Sequence, residues 1–140
     1  MTSDTSTDGN GGLDWLLSDL VDRVPSATAA TVSSSDGMLK HYYGISKDDA
    51  DRLGALATGA FSLCGQVSSL LPDAKGGLGI QVIMETEAGM MFAARVGANS
   101  VLAVLGTKGI DVSVIGYEMR MLATRAAPIL ATAVRTAVAG

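Results

Sequence analysis

The sequence predicts an α+β fold in which a single five-stranded antiparallel sheet has helices on both faces. Three observations support this fold class. Amphipathic segments of helical period lie near the start, in the middle and at the end of the 140-residue chain. Five short strand-like segments lie between them, in a group of two and a group of three. The turns within each group are short, as in antiparallel hairpins, so the predicted order is α-β-β-α-β-β-β-α.

The composition is that of one globular domain. The chain is 48% hydrophobic and 17% charged, which excludes global disorder. Its net charge is −4, and it has no basic patch interleaved with aromatic residues, so nucleic acid is not an expected partner. The single cysteine, Cys64, cannot form a disulfide within the chain, which fits a reducing cytoplasm. No signal peptide is recognisable, and charges or glycines interrupt the apolar stretches, so we expect no membrane insertion.

The N-terminal part is expected to contain a tail and one helix. Residues 1–12 are rich in Ser, Thr, Asp and Gly and predict a disordered N-terminal tail, followed by one domain at 13–140. The first helix is predicted over 13–24, where leucines and valines recur at helical spacing. Pro25 ends this helix, because proline disfavours a helical conformation in the residue before it.

A hairpin and a long helix follow. Strands are predicted over residues 27–33 and 38–43, joined by a turn that contains Asp36 and Gly37, a strong hairpin signal. Ser46 is a suitable N-cap for a helix over 46–71. The acidic cluster near its start is explained by the helix dipole rather than by a metal site, and it consists of Asp48, Asp49 and Asp51.

The long helix has two different faces. One is apolar and consists of Leu53, Leu56, Ala57, Ala60, Leu63, Cys64, Val67 and Leu71. On this face Cys64 is expected to act as a small core hydrophobe. The adjoining face, here called the small-residue stripe, consists of Gly54, Thr58, Ser62, Gly65 and Ser69. Small side chains let another backbone approach closely, so we expect a second copy of this helix to pack there, in a dimeric scaffold rather than an enzyme.

The C-terminal half predicts a three-stranded meander and a last helix. The strands are expected over 78–86, 90–96 and 101–105. The first alternates between a face with Ile80, Val82 and Met84 and a face with Gln81, Ile83 and Glu85. The last helix is predicted from a cap at Asp111 to about residue 138, with a kink or interruption at Pro128. Its expected core stripe is Val112, Ile115, Met119, Leu122, Ala126, Ile129 and Ala133.

Four local patterns accompany this order of elements. They are Val24-Pro25 before a strand and Asp36-Gly37, the helix start SKDDADRL at 46–53, LAVL at 102–105, and DVSVIGYEM at 111–119. Together with the element order they resemble the roadblock/LC7 family, which is related in shape to longin and profilin domains. The last pattern is similar to the actinobacterial branch of that family. The resemblance extends over about residues 13–138.

The resemblance implies a homodimer or a heterodimer. In the family, the strand after the long helix pairs with its copy at the sheet edge, and the two long helices pack together. These elements correspond to residues 78–86 and 46–71. The dimer interface expected from the helix pattern and the resemblance comprises Gly54, Thr58, Phe61, Ser62, Gly65, Ser69, Ile80, Val82 and Met84.

Family members regulate or scaffold small Ras-like GTPases, and actinobacterial relatives are typically encoded beside such a GTPase and a sensor-kinase-like membrane protein. The resemblance therefore implies a non-enzymatic dimeric regulator or adaptor of a small Ras-like GTPase in a bacterial signalling complex. It also implies a cytoplasmic protein that reaches the membrane only through a partner such as the sensor-kinase-like protein. The alternative is a nucleotide-indifferent assembly scaffold that links that protein to its partners.

A small-molecule sensor of the PAS or GAF kind is a third hypothesis. Such domains also combine an antiparallel sheet with helices, but their element order fits this chain less well. In addition, no predicted set of strands offers clustered polar residues that would line a cavity.

The other chemistry-bearing residues have simple structural explanations. The lone histidine, His41, supports neither a zinc site nor a catalytic triad and is expected to face solvent. Residues 76–79 precede a strand and lack the Lys-Ser or Lys-Thr of a phosphate loop. Solvated charge is expected, with no arginine finger assigned, for Arg52, Arg95, Arg120 and Arg125. No catalytic residue, metal or cofactor is therefore expected.

Three large side chains are expected to lie off the core stripes of the first and last helices. Trp15 lies opposite the leucine stripe of the first helix, where it is a partner anchor, folds over the helix end, or packs under the disordered tail. Tyr117 and Met121 lie off the core stripe of the last helix. Together they predict a second docking face, with ordinary surface or sheet packing as the alternative.

Overall fold

The computed structural model describes the backbone of residues 10–72 and 80–139 and, within these ranges, the side chains of residues 12–131. Residues 1–9 of the predicted tail lie outside the described residues, and residues 10–12 already belong to the first helix. The elements are α1 (Asn10–Arg23), β1 (Ala27–Ser34), β2 (Leu39–Tyr43), α2 (Lys47–Ser68), β3 (Gln81–Glu85), β4 (Gly89–Val96), β5 (Ser100–Thr107) and α3 (Val112–Ala139). The predicted order of elements is confirmed.

The five strands form one antiparallel sheet in the order β2-β1-β5-β4-β3. The N-terminal hairpin and the C-terminal meander are joined at its centre, where β1 pairs with β5 and Val32 lies opposite Leu102. This arrangement places β2 and β3 at the two edges. Each edge strand pairs on one side only, so its other side presents unpaired backbone groups.

Helices cover both faces of the sheet, as the sequence predicts. On one face, α1 and α3 pack on a cluster that includes Leu102 and Val104. On the other face, α2 packs on a second cluster that includes Val101 and Ala103. The central strand β5 is apolar at consecutive positions because alternate side chains enter opposite clusters. A strand covered on both faces has no solvent side that would favour polar residues.

Helix α2 begins as predicted and ends three residues earlier than predicted. The Ser46 hydroxyl accepts a hydrogen bond from the Asp49 backbone N–H at 3.2 Å, which confirms the N-cap. At the other end, the Ser69 N–H donates to the carbonyl of Gly65 at 3.2 Å. The strand predicted over 78–86 is shorter, at Gln81–Glu85, and its first two predicted residues lie outside the described residues.

Helix α3 differs from prediction at two positions. It runs continuously through Pro128, so an interruption does not occur, and the kink stays a prediction. A proline removes one backbone hydrogen bond, and here buried Ala126 and the partly buried Ile129 hold the helix to the core on both sides of it. Val112 is 45% exposed rather than part of the core stripe, because the buried contacts begin at Ile115. The side chain of Ala133 lies outside those described.

Candidate functional site

The apolar face predicted for α2 divides into two surfaces. Leu53, Ala57 and Ala60 are buried against the sheet. Leu56, Leu63 and Val67 project away from it and are 63%, 59% and 58% exposed. We call these three residues the leucine flank. The apolar arc of the helix is wider than the sheet beneath it can cover, and this width was the sequence signal for a second apolar surface.

Exposed apolar residues continue beyond the leucine flank into the edge of the sheet. Leu70 and Leu71 follow the end of α2 and are both exposed. On edge strand β3, Val82 packs against the α2-side core. Alternation along a strand then places Ile80 and Met84 on the same side, and both are exposed. One side of the protein therefore combines an unpaired strand edge with apolar side chains from two elements.

The small-residue stripe does not form one outward surface. Gly54 is buried and faces β1, where a Cβ atom would lie 2.5 Å from the Ser33 hydroxyl oxygen. Phe61 is buried in the α2-side core, with the Arg95 guanidinium 5.6 Å from its ring centroid. The prediction that these two residues face a second copy is therefore wrong, since both fill the space between α2 and the sheet of the same chain.

The remaining stripe residues are partly or fully accessible. The Thr58 hydroxyl lies 3.1 Å from the backbone carbonyl of Gly54, to which it donates, and Thr58 itself is half-buried. Gly65 is also half-buried, and Ser62 and Ser69 are exposed. This part of the stripe is a narrow polar strip beside the core. Whether it contacts a second copy stays a prediction.

A second surface lies on the opposite side of the sheet, where α1 packs on α3. Trp15 is 57% exposed, and the Arg125 guanidinium lies 5.8 Å from its ring centroid. Met121 lines a shallow crevice between the helices together with Arg125. Tyr117, one turn earlier on α3, is also exposed. We call Trp15, Tyr117, Met121 and Arg125 the α1–α3 face.

One ion pair links the two helices of this face, and a second lies within α1. Arg23 of α1 pairs with Glu118 of α3 at 2.6 Å and with Asp19 at 3.1 Å. Arg23 and Glu118 also line the crevice that Met121 and Arg125 line. Trp15 therefore lies beside Arg125, whereas Met121 and Tyr117 lie one and two turns before Arg125 on α3. The role of these residues in docking stays a prediction.

His41 is buried, which contradicts the prediction that it faces solvent. Its Nδ1 lies 2.8 Å from the Asp14 carboxylate of α1, because α1 packs across β2 on that face. The histidine therefore contributes to the attachment of α1 to the edge strand. The prediction failed because a five-residue edge strand carries too little pattern to show which face a helix covers.

The start of α2 has the electrostatics of a capped helix. Lys47 pairs with Asp51 at 3.0 Å, and Arg52 pairs with Asp49 at 3.2 Å. The hydrogen bond to Asp51 raises the pKa of the Lys47 ammonium. Within residues 10–72 and 80–139 no group of three or more His, Cys, Asp or Glu side chains is placed to hold a metal ion. No described helix combines the length and the apolarity needed to cross a bilayer.

Comparison with known proteins agrees with this architecture. The model of the Roadblock/LC7 domain matches residues 13–106. A crystal structure of a Roadblock/LC7 domain from Streptomyces avermitilis is 39% identical, with a TM-score of 0.78, and the match covers 84% of this chain and 96% of that one. A second such domain from the same organism is 35% identical, with a TM-score of 0.65, covering 81% and 96%.

A more distant structure shares the fold alone. It is an MglB protein with a tetrameric arrangement, 12% identical, with a TM-score of 0.77 and coverage of 92% of both chains. No protein with a curated description matches this chain.

Proposed function

The chain belongs to the Roadblock/LC7 domain family, and from this membership we propose that it is a non-enzymatic, dimeric regulator or adaptor of a small Ras-like GTPase in a bacterial signalling complex. The observation on which the proposal rests is the uncovered apolar side formed by edge strand β3 and the leucine flank. Apolar surface beside an unpaired strand edge is typical of a site at which a protein binds another chain.

The two edges of the sheet differ in how well they suit pairing with another copy. Edge strand β2 carries the charged residue Lys40, and its central residue His41 is covered by α1. Edge strand β3 has the sequence QVIME, in which every residue except Val82 is exposed and the one charged residue, Glu85, lies at the end of the strand. Charged and covered edges resist pairing, whereas apolar open edges favour it. We therefore propose that two copies pair through β3, with Ile80, Val82 and Met84 in the contact.

Two surfaces of α2 can lie against the second copy in such a dimer. The leucine flank offers large apolar side chains, whose burial is worth about 25 cal/mol per Å². The accessible part of the small-residue stripe, at Thr58, Ser62, Gly65 and Ser69, offers close backbone approach but little apolar area. We favour the leucine flank as the main helix contact. A tetrameric arrangement, as in the MglB neighbour, gives a precedent for self-association of this fold.

The α1–α3 face gives the proposed dimer a means to bind a partner. It lies on the opposite side of the sheet from α2, so it stays accessible when α2 and β3 meet a second copy. Exposed aromatic side chains, flanked by charge, are typical anchors of protein interfaces. We propose Trp15, Tyr117 and Met121 as the docking residues.

We further propose that the chain acts without catalytic residues of its own. A dimer that binds one conformation of a GTPase more tightly shifts the population of its switch loops toward that conformation. Such action needs a shaped surface rather than a nucleophile or a general base. Location in the cytoplasm, with recruitment to the membrane by a sensor-kinase-like partner, completes the proposed role.

The proposal is tested by capture of partners from native extract. The purified chain is used as bait in parallel with GDP and with a non-hydrolysable GTP analogue, and the captured proteins are identified by mass spectrometry. We expect a Ras-like GTPase to be recovered preferentially in one nucleotide state. GTP hydrolysis by the purified GTPase is then measured with and without the chain. Equal recovery in both states indicates the nucleotide-indifferent scaffold. Recovery of no GTPase contradicts the proposed regulator, and recovery of no partner at all contradicts both functions.

A further inference from the structure

A groove of about 450 Å³ opens between edge strand β3 and the first half of α3. Its size lies within the range of roughly 300–1,000 Å³ that is typical of ligand sites. The apolar part of its lining includes Ile83, Phe92, Ala94, Met119 and Ala123. The groove exists because α3 packs on β4 and β5 and leaves this face of β3 uncovered, with Ile83 exposed at the rim.

The charges that line the groove are all positive, although the chain as a whole has a net charge of −4. Two arginines, Arg95 and Arg120, line it, and none of the described lining residues is Asp or Glu. The Arg95 guanidinium is held over the Phe61 ring on the α2 side. Arg120 is therefore the cation available to a ligand in the groove.

The backbone of α3 lets the Arg120 guanidinium lie along the groove. Both Gly116 and Arg120 line the groove, one helical turn apart. A Cβ atom on Gly116 would lie 3.5 Å from a terminal nitrogen of Arg120, so the guanidinium extends back over the glycine. Gln81 and Ser113 add polar groups to the same lining. The groove thus combines an apolar surface with one cation and neighbouring hydrogen-bonding groups.

We propose that this groove binds a long-chain carboxylate, with the hydrocarbon chain on the apolar lining and the carboxylate paired with Arg120. An arginine guanidinium binds a carboxylate through two parallel hydrogen bonds. Burial of the hydrocarbon chain adds a hydrophobic contribution to the binding free energy. This inference goes beyond the proposed GTPase role. Ile80 and Val82, which we place in the proposed dimer contact, also line the groove. The sequence alone offers no polar cluster of this kind, since the fold assembles it from β3 and α3.

The test is calorimetric titration of the full chain with dodecanoate below its micelle-forming concentration. We expect saturable one-site binding that weakens at least tenfold in Arg120→Gln, because a charge-assisted hydrogen bond is lost. The matched control is Arg125→Gln, which removes an exposed arginine of the same helix that lies over Trp15 instead. This control variant should bind within twofold of the parent.

Two further variants examine the space in the groove. Gly116→Leu places a side chain into it and should abolish binding. Gly116→Ala adds a methyl group at an ordinary contact distance and should retain binding, which controls for the change in helix propensity. The proposal is overturned by no binding of dodecanoate or by equal losses in the two arginine variants. Equal binding of dodecyltrimethylammonium also overturns it, because that result indicates apolar adsorption without charge recognition.

Discussion

At the scale of the residue, two glycines of α2 differ sharply in what surrounds them. A Cβ atom on Gly54 would lie 2.5 Å from the Ser33 hydroxyl oxygen, whereas a Cβ on Gly59 would have no described atom within 4 Å apart from its chain neighbours and the adjacent backbone of its own helix. We expect Gly54→Ala to destabilise the protein by about 1–3 kcal/mol through overpacking. We expect Gly59→Ala to stabilise it by about 0.5–1 kcal/mol, since alanine is the better helix former. Urea unfolding at one fixed protein concentration measures both.

A double variant locates the origin of the Gly54 effect. The Ser33 hydroxyl is buried and has no hydrogen-bond partner among the described atoms, so Ser33→Ala alone should cost little. In the Ser33→Ala background the added methyl group of Gly54→Ala has room, and most of its cost should disappear. If the two changes were additive instead, the close approach of α2 to β1 would not be the cause.

The turn between β1 and β2 should show a measurable pH response. The hydrogen bond from the Ser34 hydroxyl lowers the pKa of Asp36 below its ordinary value of 3.8. A carboxyl whose pKa is lower in the folded protein contributes stability above its unfolded pKa, and this contribution disappears as the pH falls through the folded pKa. We expect Ser34→Ala to raise the pKa of Asp36 toward 3.8. Titration of the carboxyl by NMR measures the change.

The control for this titration is Ser35→Ala. Ser35 is the exposed neighbour in the same turn and is not among the groups that shift the pKa of Asp36. Its replacement should leave the titration unchanged. Coincident titration curves for the parent and Ser34→Ala would contradict the assigned cause.

At the scale of the element, α2 has two flanks that compete for the role of dimer contact. Ser62 and Leu63 are adjacent and both exposed, but the first lies on the small-residue stripe and the second on the leucine flank. We expect Leu63→Arg to raise the dimer dissociation constant at least tenfold, because a twofold axis places the added charge in the contact twice. Ser62→Arg should have a smaller effect. Sedimentation equilibrium measures both dissociation constants.

The same two variants contradict the leucine flank as the main helix contact if the effects on the dimer dissociation constant are reversed. Dissociation by Ser62→Arg with a dimeric Leu63→Arg would assign the contact to the small-residue stripe. We expect circular dichroism of both variants to show a retained fold, because neither side chain enters the core.

The elements themselves were largely predictable, and the faces that they present were less so. Strong helical period, the Ser46 cap and the Asp36-Gly37 turn depend on local chemistry, and the structure has them where the sequence places them. The orientation of α2 was harder to predict, because its apolar residues form a wide arc and only the packed sheet decides which of them are buried. Gly54 and Phe61 were misplaced for this reason. His41 was misplaced for another reason, since the short strand β2 does not show which of its faces α1 covers.

At the scale of the whole molecule, the sheet separates two surfaces with different proposed tasks. The leucine flank and β3 lie on one side for self-association, and the α1–α3 face lies on the other for a partner. Separation by a folded sheet predicts that the two tasks can be impaired independently. Trp15→Ala removes a large exposed anchor without touching α2 or β3, so we expect unchanged sedimentation and a loss of GTPase binding of about 30-fold, as for an interface hot spot.

The reciprocal variant completes this comparison. Leu63→Arg should lower self-association while leaving Trp15 and its Arg125 contact intact. If the GTPase binds one protomer, its intrinsic affinity for the monomeric variant should match that for the parent, as measured by calorimetry with the purified GTPase. If Trp15→Ala also dissociated the dimer, self-association and partner binding would not be independent of each other. Partner binding and self-association would then be thermodynamically coupled through α1 and α3, and a bound GTPase would change the dimer constant by the same factor.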